Sequence, residues 1–344
     1  MENYTLEKCN VIVKLYGFSN ICEMKMIDSS HGDEDIRHNY ILDKKYVLRV
    51  NSAKIFSEDI LNDLNLLIKR YRDFGVQAPL FLNDINGTIL HQDNNIFYYM
   101  SEYLDGMIPP DELTEEQTSI LVKERLIMIA AFAEKYKNKG LFPFMSMYSL
   151  FELSPYDELI GIDEKQDNLN QLVQALKNCE EVDMANKLEN INNSIRKQLL
   201  EIFKELPRCV FQGDENWGNM IVDENYHIQG LFDFNMAGTD VIVNYFANNA
   251  LLVPSFLDEE YMNKLDAKEI FQETIKAFQK NTDVLKKHYS FSETELYAYK
   301  LYARIVLISS YPNVSAFQYF LKNEKYKEKT IQLLNYFADE DWEM

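Results

Sequence analysis

Asp214, Asn219 and Asp233, near the middle of the sequence, have the side-chain types and spacing needed to bind a divalent metal ion and accept a proton. They lie in a segment that reads FQGDENWGNMIVD from residue 211 and GLFDFNMAG from residue 230. Magnesium prefers oxygen ligands and usually binds one or two protein oxygens together with substrate phosphates. A further carboxylate nearby can take the proton of an attacking hydroxyl group. The alternative is a plain β-hairpin after a polar loop, because Gly, Asp and Asn are common in turns.

The segment resembles the catalytic loop of the aminoglycoside phosphotransferase and choline kinase family, the small-molecule relatives of protein kinases. In that family a His-Gly-Asp-x-x-x-x-Asn loop precedes a short hairpin and a metal-binding Asp. The resemblance implies that Asp214 is the catalytic base, Asn219 a magnesium ligand and Asp233 the main magnesium ligand. Gln212 stands where the family has His, and its amide can brace the loop because it both donates and accepts hydrogen bonds.

The resemblance also implies a nucleotide-binding lobe upstream of this loop. We expect a strand over Val11–Tyr16, a second strand over residues 21–27, and a tight turn between them. Gly17, Ser19 and Asn20 form that turn and would cover the nucleotide phosphates. A bare hairpin turn is the alternative.

Residues 45–50 alternate in character and favour a strand. By the resemblance its Arg49 would hold the α- and β-phosphates, since a guanidinium forks onto phosphate oxygens. A solvent-facing arginine at the strand edge is the alternative.

Apolar residues at helical spacing predict a helix that follows Ser57 as N-cap and stops at Gly75. In the family a carboxylate on this helix pairs with the strand cation, which implies Asp63 for that role. An exposed helix carboxylate is the alternative for Asp63.

Residues 96–106 resemble the last strand of the lobe and the hinge that follows it. Backbone groups of Ser101, Glu102 and Tyr103 would bind the nucleotide base. Because backbone recognition leaves little side-chain signature, the choice between ATP and GTP stays open.

The remainder of the chain is predicted to be mostly helical. A helix should begin at Thr114 and continue to Tyr136, followed by an insertion over residues 140–207. Apolar stripes in the insertion predict packing faces, and in the family such helices often wall the acceptor pocket. Residues 257–336 should form three or four helices, and residues 337–344 an acidic tail.

Three further residues are candidates for contact with the acceptor. Glu215 and Trp217 flank the predicted base, although Trp217 could equally be a packing residue. Asp240 follows the predicted metal ligand, and in the family a carboxylate near this position often orders the catalytic loop. The family's Tyr-Asp-Leu-Ala pattern is replaced here by Tyr-Phe-Ala-Asn at residues 245–248.

The expected fold class is α+β, a bilobal protein-kinase-like fold with a small antiparallel-sheet lobe carrying one main helix and a larger, mostly helical lobe. A chain of 344 residues that is 47% hydrophobic can bury two such cores. We expect a nucleotide-binding domain over residues 1–104 and a catalytic, substrate-binding domain over residues 105–344.

Composition narrows the partners of this protein. Four widely spaced cysteines indicate reduced thiols, and no zinc-ligand spacing links them to the five histidines. A net charge of -20 disfavours nucleic acid and anionic membranes and is compatible with a cationic acceptor. Without a signal-peptide pattern near the start or a spanning apolar run, we expect a cytoplasmic monomer or homodimer.

Two functions remain open at the level of sequence. One is a magnesium-dependent kinase that transfers the γ-phosphate of ATP or GTP to a hydroxyl group of an aminoglycoside, amino sugar, amino alcohol or homoserine. The other is a nucleotide-binding pseudokinase that serves as an interaction module.

Overall fold

The computed structural model of the protein describes residues 3–30, 35–52, 56–155, 157, 160–251 and 258–339. The chain divides into two compact units, one made of Met1–Leu121 with Asp214–Phe234 and the other of Val122–Gly213 with Asn235–Met344. The predicted kinase-like α+β fold class is confirmed. The predicted domain boundary after residue 104 stays a prediction.

The first unit is built on an antiparallel five-stranded sheet of strand order β1-β2-β3-β5-β4. The strands are β1 (Met24–Asp28), β2 (Arg37–Leu42), β3 (Tyr46–Asn51), β4 (His91–Asp93) and β5 (Ile96–Glu102). Strand β3 confirms the strand predicted at residues 45–50. Its Arg49 lies opposite Asn39 of β2 and Tyr99 of β5, and cross-strand partners share a face of the sheet.

The two faces of this sheet differ in chemistry. One face is apolar and packs against helix α1 (Leu6–Leu15) through Cys9, Ile12, Val13, Tyr40, Leu42, Leu48, Val50 and Met100. Side chains alternate between faces along a strand. The opposite face, which we call the polar face, therefore carries Arg37, Asn39, Arg49, Asn51, Tyr99 and Ser101 together with the apolar residues Ile41, Val47 and Phe97.

The prediction of a strand over Val11–Tyr16 is wrong, because most of this stretch belongs to α1. Thr5 caps the helix by accepting a hydrogen bond from the backbone of Lys8, and the buried residues Cys9, Ile12 and Val13 recur at helical spacing. The predicted second strand is also displaced, since β1 begins only at Met24. A six-residue window was too short to separate alternation from helical periodicity.

Helix α2 (Glu58–Phe74) confirms the predicted helix, including Ser57 as N-cap and Gly75 as a left-handed C-cap with φ of 97°. The Asn65 side chain bonds both the N–H and the C=O of Phe81, each at 2.9 Å. The Phe81 ring in turn packs against Tyr99 of the polar face. Helix α2 is thereby tied to the polar face of the sheet.

A two-stranded hairpin, β7 (Met220–Val222) and β8 (Ile228–Leu231), also belongs to the first unit. The backbone of Gln77 bonds Gln229 at 2.9 Å and Leu231 at 2.8 Å. The N–H of Val222 donates to the carbonyl of Met107 at 2.9 Å. These bonds fix the hairpin against the segments that follow α2 and β5.

Helix α3 (Glu115–Tyr136) runs from the first unit into the second and begins as predicted, with reciprocal bonds between Thr114 and Gln117. The second unit contains the antiparallel pair β6 (Arg208–Phe211) and β9 (Gly238–Val241). Its helices within the described residues are α4 (Glu164–Asn178), α5 (Val182–Ile202), α6 (Ile242–Leu251), α7 (Glu259–Lys264), α8 (Ala267–His288), α9 (Glu293–Ser309), α10 (Tyr311–Leu321) and α11 (Lys327–Asp339).

The predicted insertion contains α4 and α5, whose apolar stripes are buried as expected. After residue 257, which lies outside the described residues, the described chain has five helices rather than three or four. Residues 337–339 of the predicted acidic tail belong to α11, and residues 340–344 lie outside the described part.

Candidate active site

The segment that leads to Asp214 is shaped by a glycine. Gly213 has a φ of 91°, and a Cβ at this position would lie 2.1 Å from the carbonyl oxygen of Met236. Residues other than glycine rarely adopt this backbone conformation. Gln212, which replaces the family's His, is completely buried. The chain therefore turns sharply between the end of β6 and Asp214.

Tyr245 of α6 braces the same turn, a role that was not predicted. The Gly213 N–H donates to the Tyr245 hydroxyl at 3.2 Å. The ring of Tyr245 stacks on Phe211 with centroids 3.8 Å apart and an interplanar angle of 1°. The sequence signal for this role was the aromatic residue at the start of the altered 245–248 pattern.

The Asp214 carboxylate is oriented by two amide groups. Asn219 donates through Nδ2 to Oδ2 at 2.8 Å and to the Asp214 backbone carbonyl at 3.0 Å. Asn216, which was not predicted as a site residue, donates to Oδ1 at 2.8 Å. Burial raises the pKa of Asp214, and the negative charge of Asp233 raises it further, whereas both amides lower it.

Asp233 is connected to Asn219 through the hairpin. The N–H of Phe232 donates to the Asn219 carbonyl at 3.0 Å, and Met220 pairs with Leu231. Asp233 has a φ of 57°, in the left-handed region that a non-glycine residue adopts at a cost in free energy. The structure thus brings Asp214, Asn219 and Asp233 together within the first unit.

This donor set fits a magnesium ion. Because Nδ2 of Asn219 faces Asp214, its Oδ1 is left to act as a ligand beside the Asp233 carboxylate. The repulsion between Asp214 and Asp233 would be relieved by a cation. Within the described ranges, no group of three or more His, Cys, Asp or Glu side chains could enclose a metal. Phosphate and water would therefore complete the shell of a magnesium ion.

Arg49 lies on the polar face, where its buried Nε has no hydrogen-bond partner among the described residues. Burial raises the pKa of Tyr99 opposite it, and the charges of Arg49, Asp233 and Arg37 also act on the Tyr99 hydroxyl. Arg49 and Asp233 therefore lie near the same hydroxyl. A buried donor without an acceptor is rare in proteins and suggests a missing ligand.

The predicted pairing of Asp63 with Arg49 stays a prediction. In the described part of the chain no hydrogen bond or ion pair joins these two residues. The pKa of Asp63 is raised by burial and by Asp59, and Arg70 is the cation that lowers it. Asp63 is on the predicted helix, but its side chain interacts with neighbours on that helix.

The residues predicted to form the hinge lie at the end of β5 (Ile96–Glu102) and directly after it, and part of their backbone is bonded within the chain. The N–H of Glu102 donates to Leu80 at 2.9 Å, and the N–H of Tyr103 donates to Lys45 at 2.8 Å. The Ser101 hydroxyl is buried and has no partner among the described residues. These two N–H groups are therefore already used within the chain.

The basis for assigning Gly17, Ser19 and Asn20 to the phosphates is wrong. These residues follow the C-terminus of α1 and do not join two strands. The connection between the first two strands is instead formed by residues 29–36, of which 31–34 lie outside the described residues.

Of the predicted acceptor contacts, Glu215 is buried and Trp217 is half-buried at the start of a 3₁₀ turn. Asp240 is 1% exposed, and its oxygens accept bonds from Ser146 at 2.7 Å and Asn244 at 2.9 Å. Burial raises the pKa of Asp240 to about 6. Asp240 therefore belongs to a closed network and does not face an acceptor.

The fold, together with the cluster of Asp214, Asn219 and Asp233, is the one expected of a phosphotransferase. The family model that matches the chain, over residues 33–248, is the phosphotransferase enzyme family. This match spans more than half of the chain. The chain belongs to this family and is a phosphotransferase of the small-molecule kinase class. A comparison with curated protein sequences found no match.

Solved structures that resemble this fold include two kinases. Amicoumacin kinase hAmiN in complex with AMP-PNP is 12% identical, with a TM-score of 0.53, and the match covers 98% of this chain and 94% of that one. A microcompartment-associated aminopropanol kinase is 10% identical, with a TM-score of 0.51 and coverages of 97% and 95%. At these identities the likeness concerns the fold alone.

Among the described residues, no helix is long and apolar enough to cross a membrane.

Proposed function

We propose that the protein transfers the γ-phosphate of ATP or GTP, in a magnesium-dependent reaction, to a hydroxyl group of a small molecule. The observation that carries this proposal is the Asp214 carboxylate, which two amides orient beside Asp233. A purely structural carboxylate would gain nothing from a like charge nearby. A cation bound beside Asp233 would account for the two like charges, and a hydroxyl donor would account for the oriented carboxylate of Asp214.

In this proposal Asp214 receives the proton of the acceptor hydroxyl. An ionised carboxylate has about four lone-pair sites, so Asp214 can accept the amide bonds and a further bond from that hydroxyl. Asn219 and Asp233 would hold magnesium. When bound, magnesium would neutralise negative charge on the phosphates. Because phosphoryl transition states are loose, positioning the hydroxyl contributes more than removing its proton.

The polar face supports binding of the nucleotide. The unpaired Nε of Arg49 can donate to a phosphate oxygen. The carbonyls of Glu102 and Tyr103 can accept from the base, and the buried hydroxyl of Ser101 can donate or accept. These groups fit either purine, so both ATP and GTP are candidates.

The acceptor is proposed to be a small hydroxylated molecule. The chain's net charge of -20 favours a cationic one. The structural relatives, an aminopropanol kinase and an amicoumacin kinase, support keeping amino alcohols among the candidates and add amicoumacin to them. We retain the predictions of a cytoplasmic location and of a monomer or homodimer as proposals.

The experiment is nucleoside diphosphate release from Mg·ATP and Mg·GTP across aminoglycosides, amino sugars, choline, aminopropanol, amicoumacin and homoserine. Asp214→Asn tests the base. Its matched control is Glu224→Gln, which changes an exposed carboxylate in the turn between β7 and β8. Asp233→Ala tests the proposed metal ligand through the affinity for Mg·nucleotide.

Acceptor-dependent release that Asp214→Asn loses and Glu224→Gln keeps would support the proposal and identify the acceptor. Nucleotide binding without release across the panel would favour the pseudokinase alternative. An Asp214→Asn variant with normal turnover would overturn the assignment of the base.

A further inference from the structure

The polar face carries a second guanidinium beside that of Arg49. Arg37, the first residue of β2, lies opposite Asn51, and Asn39, two residues further, lies opposite Arg49. Arg37 and Arg49 are therefore diagonal neighbours on one face, with a backbone separation of roughly 7–8 Å. Arginine side chains can reach across such a distance to a shared ligand.

The order of rows along the polar face gives the direction in which a nucleotide would lie. Ser101 marks the row next to the hinge, Tyr99 and Arg49 the middle row, and Asn51 and Arg37 the far row. At about 3.3 Å per residue, the far row lies roughly 13 Å from the hinge row. A nucleotide whose base lies at the hinge would extend its phosphates past Arg49 toward Arg37.

The charges around Tyr99 support this placement of Arg37. Arg49, Asp233 and Arg37 all act on the hydroxyl of Tyr99, whose pKa is raised mainly by burial. Arg37 thus lies in the same electrostatic surroundings as the strand cation and the proposed metal ligand.

Arg37 is held by a carboxylate in the geometry that a phosphate would use. Its Nε donates to Oδ1 of Asp35 at 2.9 Å and its Nη2 to Oδ2 at 2.5 Å. Guanidinium groups bind phosphate oxygens through the same two-bond fork. The side chains of Arg37 and Asp35 are 21% and 28% exposed, so a ligand can reach the pair.

We propose that Arg37 binds the terminal phosphate of the nucleotide and that Asp35 occupies its guanidinium until the nucleotide displaces it. This inference rests on the proposed nucleotide-binding function and adds a second arginine and a competing carboxylate to it. A structural pair that merely closes the connection between β1 and β2 is the competing explanation. The two explanations differ in the sign of the effect expected when Asp35 is neutralised.

The test is the dissociation constant of AMP, ADP and ATP, with magnesium, measured by calorimetry for the wild type, Arg37→Ala and Asp35→Asn. Lys44→Gln is the matched control, because Lys44 is an exposed cation in the turn between β2 and β3. Thermal unfolding of each variant shows whether it is folded at the temperature of the measurement.

We expect Arg37→Ala to weaken ATP binding by about tenfold, the usual size for a charge-assisted bond, and to leave AMP binding nearly unchanged. Asp35→Asn should strengthen ATP binding, because a competitor for the guanidinium is removed. Lys44→Gln should leave the dissociation constants of both ATP and AMP unchanged.

Weaker ATP binding in both Arg37→Ala and Asp35→Asn would show a structural pair and overturn the inference. Equal losses for AMP and ATP in Arg37→Ala, or no change in either variant, would also overturn it. If the wild type binds no nucleotide at all, the proposed function itself fails. If it binds normally and only the Arg37 result is absent, the proposed function stands without the inference.

Discussion

Asp214 and Asp240 are two aspartates whose pKa values are raised mainly by burial, but their surroundings differ. Asp214 is only half-buried, and two amides orient its carboxylate. Asp240 is 1% exposed and is enclosed by the side chains of Ser146 and Asn244. A carboxylate that solvent reaches can still take a ligand, whereas an enclosed one stabilises the fold.

The charges near the two aspartates also have opposite signs. Asp233 raises the pKa of Asp214, whereas Lys165 lowers that of Asp240. Lys165 is 1% exposed and donates to the Tyr148 carbonyl at 2.8 Å, and the same carbonyl accepts from Asn244 at 2.6 Å. The network around Asp240 therefore contains its own cation, whereas the charge acting on Asp214 is the negative charge of Asp233.

The largest expected effect is a difference in kcat between variants of Asp214 and Asp240. We expect Asp214→Asn to lower kcat by about 10²–10⁴-fold without lowering the melting temperature, because it removes a proton acceptor from a half-buried position. Asp240→Asn should keep most of kcat, because Asp240 does not face an acceptor. Equal losses of kcat in the two variants would contradict the distinction between them. The measurement is steady-state kinetics with thermal unfolding of both proteins.

The second effect is the pH dependence of stability that Asp240 contributes. Its pKa is about 6 in the folded chain against a usual value of 3.8. Between these pH values the folded state holds a proton that the unfolded state has lost, so stability falls as pH rises. A shift of this size corresponds to about 3 kcal/mol. This contribution should be fully present near pH 4 and lost above about pH 6.

The measurement is the free energy of unfolding by urea for the wild type and Asp240→Asn between pH 4 and pH 7. Subtracting the two proteins removes the titration of groups that Asp240 does not influence. Lys165, Asp163 and Glu164 lie in the same network, so their titration must be followed in both proteins. A difference that is independent of pH would contradict the raised pKa of Asp240.

The sequence predicted those parts of the fold in which a local pattern has only one structural solution. Helix α2 had a cap, a periodic apolar face and a glycine stop, and all three are present. The segment around Asp214, Asn219 and Asp233 was predicted because its chemistry lies within twenty residues, so short-range spacing fixes which side chains meet.

Other contacts are not encoded by spacing. Asp63 is one of several carboxylates on α2, and helical spacing alone does not decide which of them could pair with Arg49. The support of Gly213 by Tyr245 joins residues 32 apart in the chain. The role of α1 depended on which face of the sheet lacked a cover, which a propensity argument cannot address.

The third effect is the contribution of Tyr245 to the turn before Asp214. Tyr245→Phe keeps the ring stacked on Phe211 but leaves the Gly213 N–H without the hydroxyl acceptor. A lost buried hydrogen bond costs about 1 kcal/mol, and the altered turn should also lower kcat severalfold. Tyr311→Phe, which changes a tyrosine that is 66% exposed, is the control for removal of a hydroxyl. Unchanged stability and kcat would show that the turn does not depend on Tyr245.

The smallest effect concerns Asn216, an exposed residue whose amide donates to Asp214 and lowers its pKa. Asn216→Ala removes a hydrogen bond that lowers the pKa of Asp214. Burial and the charge of Asp233 remain, so this pKa should rise. The base must be ionised to accept a proton, so the acid limb of kcat/KM should move to higher pH, with a severalfold loss on that limb and almost none in alkaline buffer. The control is Asn225→Ala, in the exposed turn between β7 and β8, which should leave the pH profile of kcat/KM unchanged. An equal loss at every pH would mean that Asn216 orients the carboxylate without influencing its ionisation.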